Sequence, residues 1–312
     1  MTVYLSEHIC SSARKKLEAV ATIVDNFDHP EEIDAAIVRT APITAEFLAK
    51  ADRLKVIGKH GVGYNNVDVP AVKAKGIPMV YTPLANADSV AEFVVGLLLA
   101  LERGFYAANQ KCRRGEFKKI APADFMGTQL RGKVLGQIGM GNIAQRIAAI
   151  MQNGFGVKVL AYDPFISDEE AAKRGFEKVD TVEHLLERSD MININVPLTN
   201  GTRDLISGKM FDHFKPGAVL VNAARGGIVN EKDLYDALVS GKLKAAACDT
   251  FVQEPPTPEN YKDLLSLENF SATPHLGGNT DDALENAGNQ VVDDILNVLS
   301  GGKPNCLIPE LR

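Results

Sequence analysis

Lys133-Val134-Leu135-Gly136-Gln137-Ile138-Gly139-Met140-Gly141-Asn142-Ile143-Ala144 is the stretch whose reading decides the fold. Its first half is a short apolar run of the kind that forms a strand buried on both faces. Gly139-x-Gly141-x-x-Ala144 follows at once, and residues 145–151 continue with helical patterning. The first glycine permits a tight turn, the second lets backbone approach a pyrophosphate, and the small Ala144 lets helix and strand pack closely. Phosphates would then face the free N–H groups and positive end of the helix. A lone glycine pattern says little, but here strand, loop and helix fall in order. A second strand, 159–162, ends at Asp163. A carboxylate there can hydrogen-bond the ribose hydroxyls and repels a 2′-phosphate, which favours NAD over NADP.

Outward from this loop the same alternation covers the chain. Before it, residues 3–5, 21–24, 35–38, 56–58 and 79–81 read as strands, with helical stretches such as 12–19 and 45–51 between them. After it, residues 134–138, 158–162, 191–195, 218–221, 245–248 and 270–272 do the same. Alternation of this kind predicts α/β architecture, with parallel sheets and helices on both faces. A chain of 312 residues is too long for one typical core and suggests two domains. Ser89-Val90-Ala91-Glu92 fits a capping box opening a helix that runs to about Arg103, the natural bridge between the two. A final helix over 281–299 carries Leu284, Ala287, Val291, Ile295 and Val298 at the spacing of one buried face. Its place suggests that the chain returns to the first domain. The bounds expected are 1–101 with 284–312 for one domain and 102–283 for the dinucleotide-binding domain.

Composition narrows the partners. At 45% hydrophobic and 24% charged residues the chain is of the folded, globular class. A net charge of −6 without a Lys/Arg-rich run argues against nucleic acid. The longest apolar run, 93–101, is far short of a membrane span, and the first residues read as a strand and not as a signal peptide. Cys10, Cys112, Cys248 and Cys306 form no close pair, so reduced, buried thiols in a cytoplasmic protein are expected.

Arg225, Glu254 and His275 stand out among the remaining residues. Each follows a different candidate strand, in Asn222-Ala223-Ala224-Arg225-Gly226, Phe251-Val252-Gln253-Glu254-Pro255 and Thr273-Pro274-His275-Leu276-Gly277-Gly278. Ligands of open α/β sheets bind at such carboxyl ends. Oxidising a 2-hydroxy acid needs a base that titrates near neutrality, which favours His. The substrate's carboxylate favours Arg, whose planar fork holds it and polarises the neighbouring oxygen. A carboxylate beside the imidazole favours the charged ring and fixes its tautomer. Taken singly, each of the three would more often be a structural or surface residue.

Together with Gly61-Val62-Gly63-Tyr64-Asn65-Asn66-Val67-Asp68 and Val196-Pro197-Leu198-Thr199, these runs make nearly the whole chain resemble the D-isomer-specific 2-hydroxyacid dehydrogenase family, phosphoglycerate and glycerate dehydrogenases among them. The resemblance implies a Rossmann dinucleotide-binding domain and a flavodoxin-like substrate domain, both doubly wound. It implies NAD as cofactor, a small 2-hydroxy or 2-oxo acid as substrate, and a homodimer built through the nucleotide domain. It implies that Arg225 binds the substrate, His275 is the acid/base and Glu254 its partner. Gly139, Gly141, Asn142, Ile143, Asp163, Val196, Pro197, Thr202, Ala223, Asp249 and Gly277 would line the cofactor, with Asp249 orienting the nicotinamide carboxamide. Val62 and Gly63 would offer N–H groups to the substrate carboxylate. Arg39, in Val38-Arg39-Thr40-Ala41-Pro42, resembles an arginine that lies near the substrate phosphate in phosphoglycerate dehydrogenases, and Lys59 and His60 could add positive charge. The chain departs from the family at Asn260-Tyr261-Lys262-Asp263, where a longer aromatic or His-Pro run is usual, and at Asp249-Thr250-Phe251. Glu254 sets it apart from the family's formate dehydrogenases, which carry Gln there. The family's NADH-sensing corepressors supply the alternative of a binding protein without turnover.

Overall fold

A computed structural model describes residues 1–120, 122, 123 and 125–312. The chain divides into two units, Met1–Ser89 with Gly278–Arg312, and Val90–Gly277. In the first unit β1 (Thr2–Leu5), β2 (Thr22–Val24), β3 (Ala35–Val38), β4 (Val56–Lys59) and β5 (Met79–Tyr81) form one sheet in the order β2-β1-β3-β4-β5. All its ladders are parallel, and the order is that of a flavodoxin-like sheet. Successive residues of each strand enter opposite cores, as the pleat requires. Ala36, Val38 and Ile57 face one, with Phe47 and Leu48 of α2 (Ala45–Lys50) and Val72 of α3 (Val69–Ala74). Ala35, Ile37 and Val56 face the other, with Ala13 and Leu17 of α1 (Ser11–Glu18).

The second unit opens with α4 (Ala87–Glu102), which carries the chain out of the first, and α5 (Phe105–Arg113). Its sheet contains β6 (Val134–Ile138), β7 (Lys158–Tyr162), β8 (Glu177–Lys178), β9 (Met191–Ile194), β10 (Val219–Asn222), β11 (Ala245–Cys248) and β12 (Phe270–Ala272). The order is β12-β11-β10-β9-β6-β7-β8, again all parallel. From β6 the chain winds first to one side and then returns to place β9 on the other, the Rossmann pattern, whose switch point lies at the carboxyl ends of β6 and β9. The covering helices are α6 (Asn142–Phe155), α7 (Asp168–Lys173), α8 (Val182–Arg188), α9 (Glu231–Val239) and α10 (Pro258–Leu265). Val219 and Val221 of β10 enter one core and Leu220 the other. The last helix, α11 (Asp281–Leu299), belongs to the first unit, where Val291, Val292 and Ile295 complete the core shared by Ala35 and Ile37.

The two compact units divide after Ser89 and after Gly277, beside the expected bounds at 101 and 283. Val90, Val94, Leu97, Leu98 and Leu101 of α4 bury themselves with Leu135 and Met151, which draws most of that helix into the second unit. Ser89 does not cap α4. The chain already turns at Leu84–Ala87, so the helix starts at Ala87, and the Ser89 hydroxyl pairs with Thr280 Oγ1 at 2.7 Å. Of the four thiols only Cys248 is buried, while Cys112 is exposed. Among the described residues no helix is long and apolar enough to cross a membrane.

Candidate active site

The turn from β6 into α6 is built as its glycines require. Gly139 has φ +88°, and its N–H donates to Tyr162 O at 2.8 Å. A Cβ there would lie 2.8 Å from Val196 Cγ1 and 2.9 Å from Asn195 O, so only glycine brings the loop this close to the end of β9. Gly141 occupies the N-cap of α6 without a side-chain acceptor, and a Cβ on it would meet nothing within 4 Å. The first amides of α6 are therefore left for a ligand or solvent, beneath open space. Asn142 is exposed and Ile143 half-buried at that helix start. Asp163, at the end of β7, accepts from Met140 N and Phe165 N, both at 2.9 Å, one on each carboxylate oxygen. It fixes the loop and retains a lone pair on each oxygen for a ribose hydroxyl. These residues fit a dinucleotide: a helix start that lacks a cap, a glycine with room above it, and an acid one strand away.

Below the loop lies a polar network that the sequence reading missed. Buried Gln137 donates to Ala144 O at 3.2 Å and accepts from Asn193 at 2.9 Å and Asn195 at 2.7 Å. It ties α6 to β9, and an amide within an apolar strand was the only sequence signal. Thr202 serves its own turn: its hydroxyl donates to Pro197 O at 2.6 Å and accepts from Thr199 N at 2.8 Å. Its contribution is thus to shape the 196–202 turn. Ala223 is half-buried just past β10.

Arg225 follows two residues later. Asn222 accepts from Ala224 N at 3.1 Å and donates to Arg225 O at 2.9 Å, which curls the loop tightly at the end of β10. The Arg225 guanidinium donates to Ala224 O at 2.6 Å. Burial lowers its pKa, opposed by the nearby Glu254 carboxylate; an arginine so placed remains charged. Next to it, Gly226 lies flush on the backbone of Phe251 and Val252, where a Cβ would have no room. The arginine loop and the Glu254 loop are therefore pressed together.

Glu254 Oε1 accepts from Phe251 N and its Oε2 meets His275 Nδ1, both at 3.0 Å. An ionised carboxylate only accepts, so Nδ1 carries the proton and Nε2 is left as the basic nitrogen. Both side chains remain partly open, at 48% for His275 and 37% for Glu254. His275 itself has φ +59°, a left-handed conformation that a non-glycine residue adopts at a cost. Asp249 holds it there. Its carbonyl accepts from His275 N at 2.8 Å. The residue is only 1% exposed, and its carboxylate accepts from Thr273 Oγ1 at 2.6 Å and from Leu276 N and Gly277 N at 2.8 Å. The resemblance implies a nicotinamide contact for Asp249; every hydrogen bond of its carboxylate here braces the histidine loop.

The first unit carries the other expected residues. Val62 and Gly63 are half-buried beyond β4, after Gly61, whose N–H donates to Thr82 Oγ1 at 2.9 Å. Arg39 follows β3, and its guanidinium reaches Asn279 Oδ1 at 3.4 Å. The Glu7 carboxylate accepts from Arg39 N at 2.9 Å, Thr40 N at 2.7 Å and Ala41 N at 3.0 Å. Burial raises the Glu7 pKa, but these bonds and that of the Thr40 hydroxyl outweigh it and hold the carboxyl below its usual range. Of the two expected additions of positive charge, that at His60 fails. Lys59 is buried, its ammonium donating to Arg39 O and, at 2.6 Å, to Asn66 Oδ1, which ties it to the loop. His60 is buried too, and burial together with the Arg39 charge lowers its pKa, so the ring is neutral at pH 7. Among the described residues no cluster of acids, histidines and cysteines could hold a metal.

Comparison with known proteins agrees with this geometry. Residues 95–277 match the family described as D-isomer specific 2-hydroxyacid dehydrogenase, NAD binding domain. The chain is 41% identical over 269 residues to a hydroxypyruvate reductase of Thermotoga maritima, covering 86% of this chain and 85% of that one. It is 42% identical over 272 residues to a D-3-phosphoglycerate dehydrogenase of Methanocaldococcus jannaschii, covering 87% of this chain and 51% of that one. The chain thus spans about half the length of the phosphoglycerate dehydrogenases it matches. A crystal structure of the TT0316 protein of Thermus thermophilus superposes with a TM-score of 0.91 at 28% identity, covering 99% and 100% of the two chains. With a glycine-loop Rossmann unit, a His–Glu pair and an arginine at neighbouring strand ends, the chain belongs to the D-isomer specific 2-hydroxyacid dehydrogenase family.

Proposed function

We propose that the protein is an NAD-dependent oxidoreductase that interconverts a small D-2-hydroxy acid and its 2-oxo acid. The observation that carries this is the 3.0 Å pair between His275 Nδ1 and Glu254, electrostatically coupled to Arg225. His275 Nε2 takes the hydroxyl proton as the C2–H bond breaks, and in the reverse direction returns it to the oxo oxygen. Glu254 keeps the proton of the neutral ring on Nδ1 and balances the imidazolium that forms. Arg225 holds the carboxylate and stabilises charge on the reacting oxygen. The loop from Gly139 to Ala144 and Asp163 would hold the dinucleotide, which when bound would accept the C2 hydride as NAD and return it as NADH.

The Val90–Gly277 unit is the dinucleotide domain in this reading and the other unit the substrate domain. Val62 and Gly63 then receive the carboxylate, and Arg39 a second polar or anionic group. Phosphoglycerate, glycerate and hydroxypyruvate are the substrate class, in line with the names of the relatives. A homodimer through the dinucleotide unit is part of the proposal, supported by the exposed Phe105, Ile120 and Met126 in one stretch of it. A cytoplasmic location accords with four unpaired cysteines.

The test is NADH oxidation with a panel of 2-oxo acids. At least one is reduced, and His275→Ala lowers kcat on it by about 10²- to 10⁴-fold, the usual worth of an acid–base group, with NADH affinity unchanged. Arg225→Lys chiefly impairs use of the acid, because an ammonium lacks the fork. Tight NADH binding without turnover of any acid would overturn the proposal.

A further inference from the structure

The turn that carries Glu254 makes a set of hydrogen bonds that the reaction itself does not explain. Phe251, Val252 and Gln253 present three consecutive amides. Phe251 N donates to Glu254. Val252 N donates to Glu231 Oε1 at 2.8 Å, and Gln253 N to the Tyr261 hydroxyl at 2.8 Å. The Tyr261 phenol and the Glu231 carboxylate also influence each other electrostatically. Two neighbouring amides of one loop are thus held from outside it, one by Glu231 and one by Tyr261. Glu231 opens α9, positioned by the Asn230 cap, and Tyr261 sits in α10 where the helical course breaks, at φ −133° and ψ 28°. Tyr261 is buried, with its ring 5.0 Å from that of Phe251.

We propose that Glu231 and Tyr261 are positioning residues that clamp the 251–254 turn and so hold the Glu254 carboxylate on His275 Nδ1. The inference rests on the dehydrogenase reading for its catalytic consequence, not for its geometry. Glu254 is an open, rotatable acid; its reach to the imidazole is set by the backbone that carries it, and that backbone is anchored from α9 and α10. The titratable groups acting on Glu231 are Tyr261, Asp204 and the Cys248 thiol at the end of β11. Burial raises the Glu231 pKa, with Asp204 adding to it, while the Val252 amide and Tyr261 hydroxyl oppose the rise. An acid kept there against that cost is consistent with its serving the turn.

The clamp is tested on the full chain labelled with 15N-histidine, with the His275 ring signals identified by their loss in His275→Ala. At alkaline pH the 15N shifts report which ring nitrogen carries the proton. Wild type shows the Nδ1–H tautomer, and Glu254→Ala, which leaves no acceptor at Nδ1, defines the result of losing the carboxylate. Glu231→Ala and Tyr261→Phe each move the ring toward a mixture of tautomers. Glu231→Gln keeps a carbonyl for Val252 N and recovers most of the difference. Turnover follows the same order: kcat falls about three- to tenfold in Glu231→Ala, the worth of one hydrogen bond, with KM for NADH unchanged. The proposal is overturned if Glu231→Ala and Tyr261→Phe leave tautomer and kcat at wild-type values, or if Glu254→Ala leaves the tautomer unchanged. Should wild type reduce no 2-oxo acid, the dehydrogenase reading fails alone, because the tautomer still reports on the clamp.

Discussion

His275 is held in a left-handed conformation by a buried acid outside the His275–Glu254 pair. Asp249 receives Thr273, Leu276 and Gly277, and its carbonyl receives His275 N. Asp249→Asn keeps the shape but turns one acceptor into a donor that faces a donor. The variant should lose about 1–3 kcal/mol of stability, read from urea unfolding, and kcat should fall as the ring loses its placement. Arg225, Glu254 and His275 could be proposed from the sequence because the chemistry calls for a fork, an anion and an imidazole at strand ends, and the His275–Glu254 contact fits that proposal. The bracing role of Asp249 was not, since an acid after a buried strand reads equally well as a ligand. Glu231 was hidden for another reason. Beside Asn230 it looks like an ordinary acid in the first turn of a helix, and no local pattern announces a bond to an amide on another loop.

At the level of elements, the strands were readable because buried parallel strands are short apolar runs. β8, at two residues, is too short to leave such a run. α11 was readable along its apolar face, but that face misses Asp294, which is 3% exposed. Its carboxylate accepts from Asn305 N at 2.7 Å and Cys306 N at 2.9 Å. These bonds start the segment that runs beside β5, where Tyr81 N donates to Cys306 O and Ile308 N to Met79 O, both at 3.0 Å. Leu307 pairs antiparallel with Val80 there. Asp294→Ala strands two amides and should cost about 1.5–3 kcal/mol per charged hydrogen bond at most. Hydrogen exchange is the direct check: the Tyr81 and Ile308 amides should lose protection ahead of those in β3.

For the whole molecule, length indicated two domains and the strand–helix alternation their α/β class, while the unit that α4 packs into is a matter of packing that periodicity does not record. Acid stability follows from groups distributed over both units. His60 is buried and its pKa lowered, so the unfolded ring binds a proton below about pH 6.5 while the folded ring still resists it. Its contribution is complete above that pH and is lost as the pH falls toward the folded value. The lowered carboxyls of Glu7, Asp34 and Asp190 act in the same direction but only below about pH 4. Urea midpoints should therefore fall between pH 7.5 and 5.5 in the wild type, and His60→Gln should flatten that step; an unchanged slope would remove His60 from the account. The course of the chain has one more consequence. The sheet made by the first 89 residues leaves an apolar side of Val3, Leu5, Ala35 and Ile37 that is completed by Val291, Val292 and Ile295. During synthesis the intervening unit emerges whole and can fold first, while the earlier sheet waits with a greasy flank bare until the last helix leaves the ribosome, a window in which chaperones have something to grip.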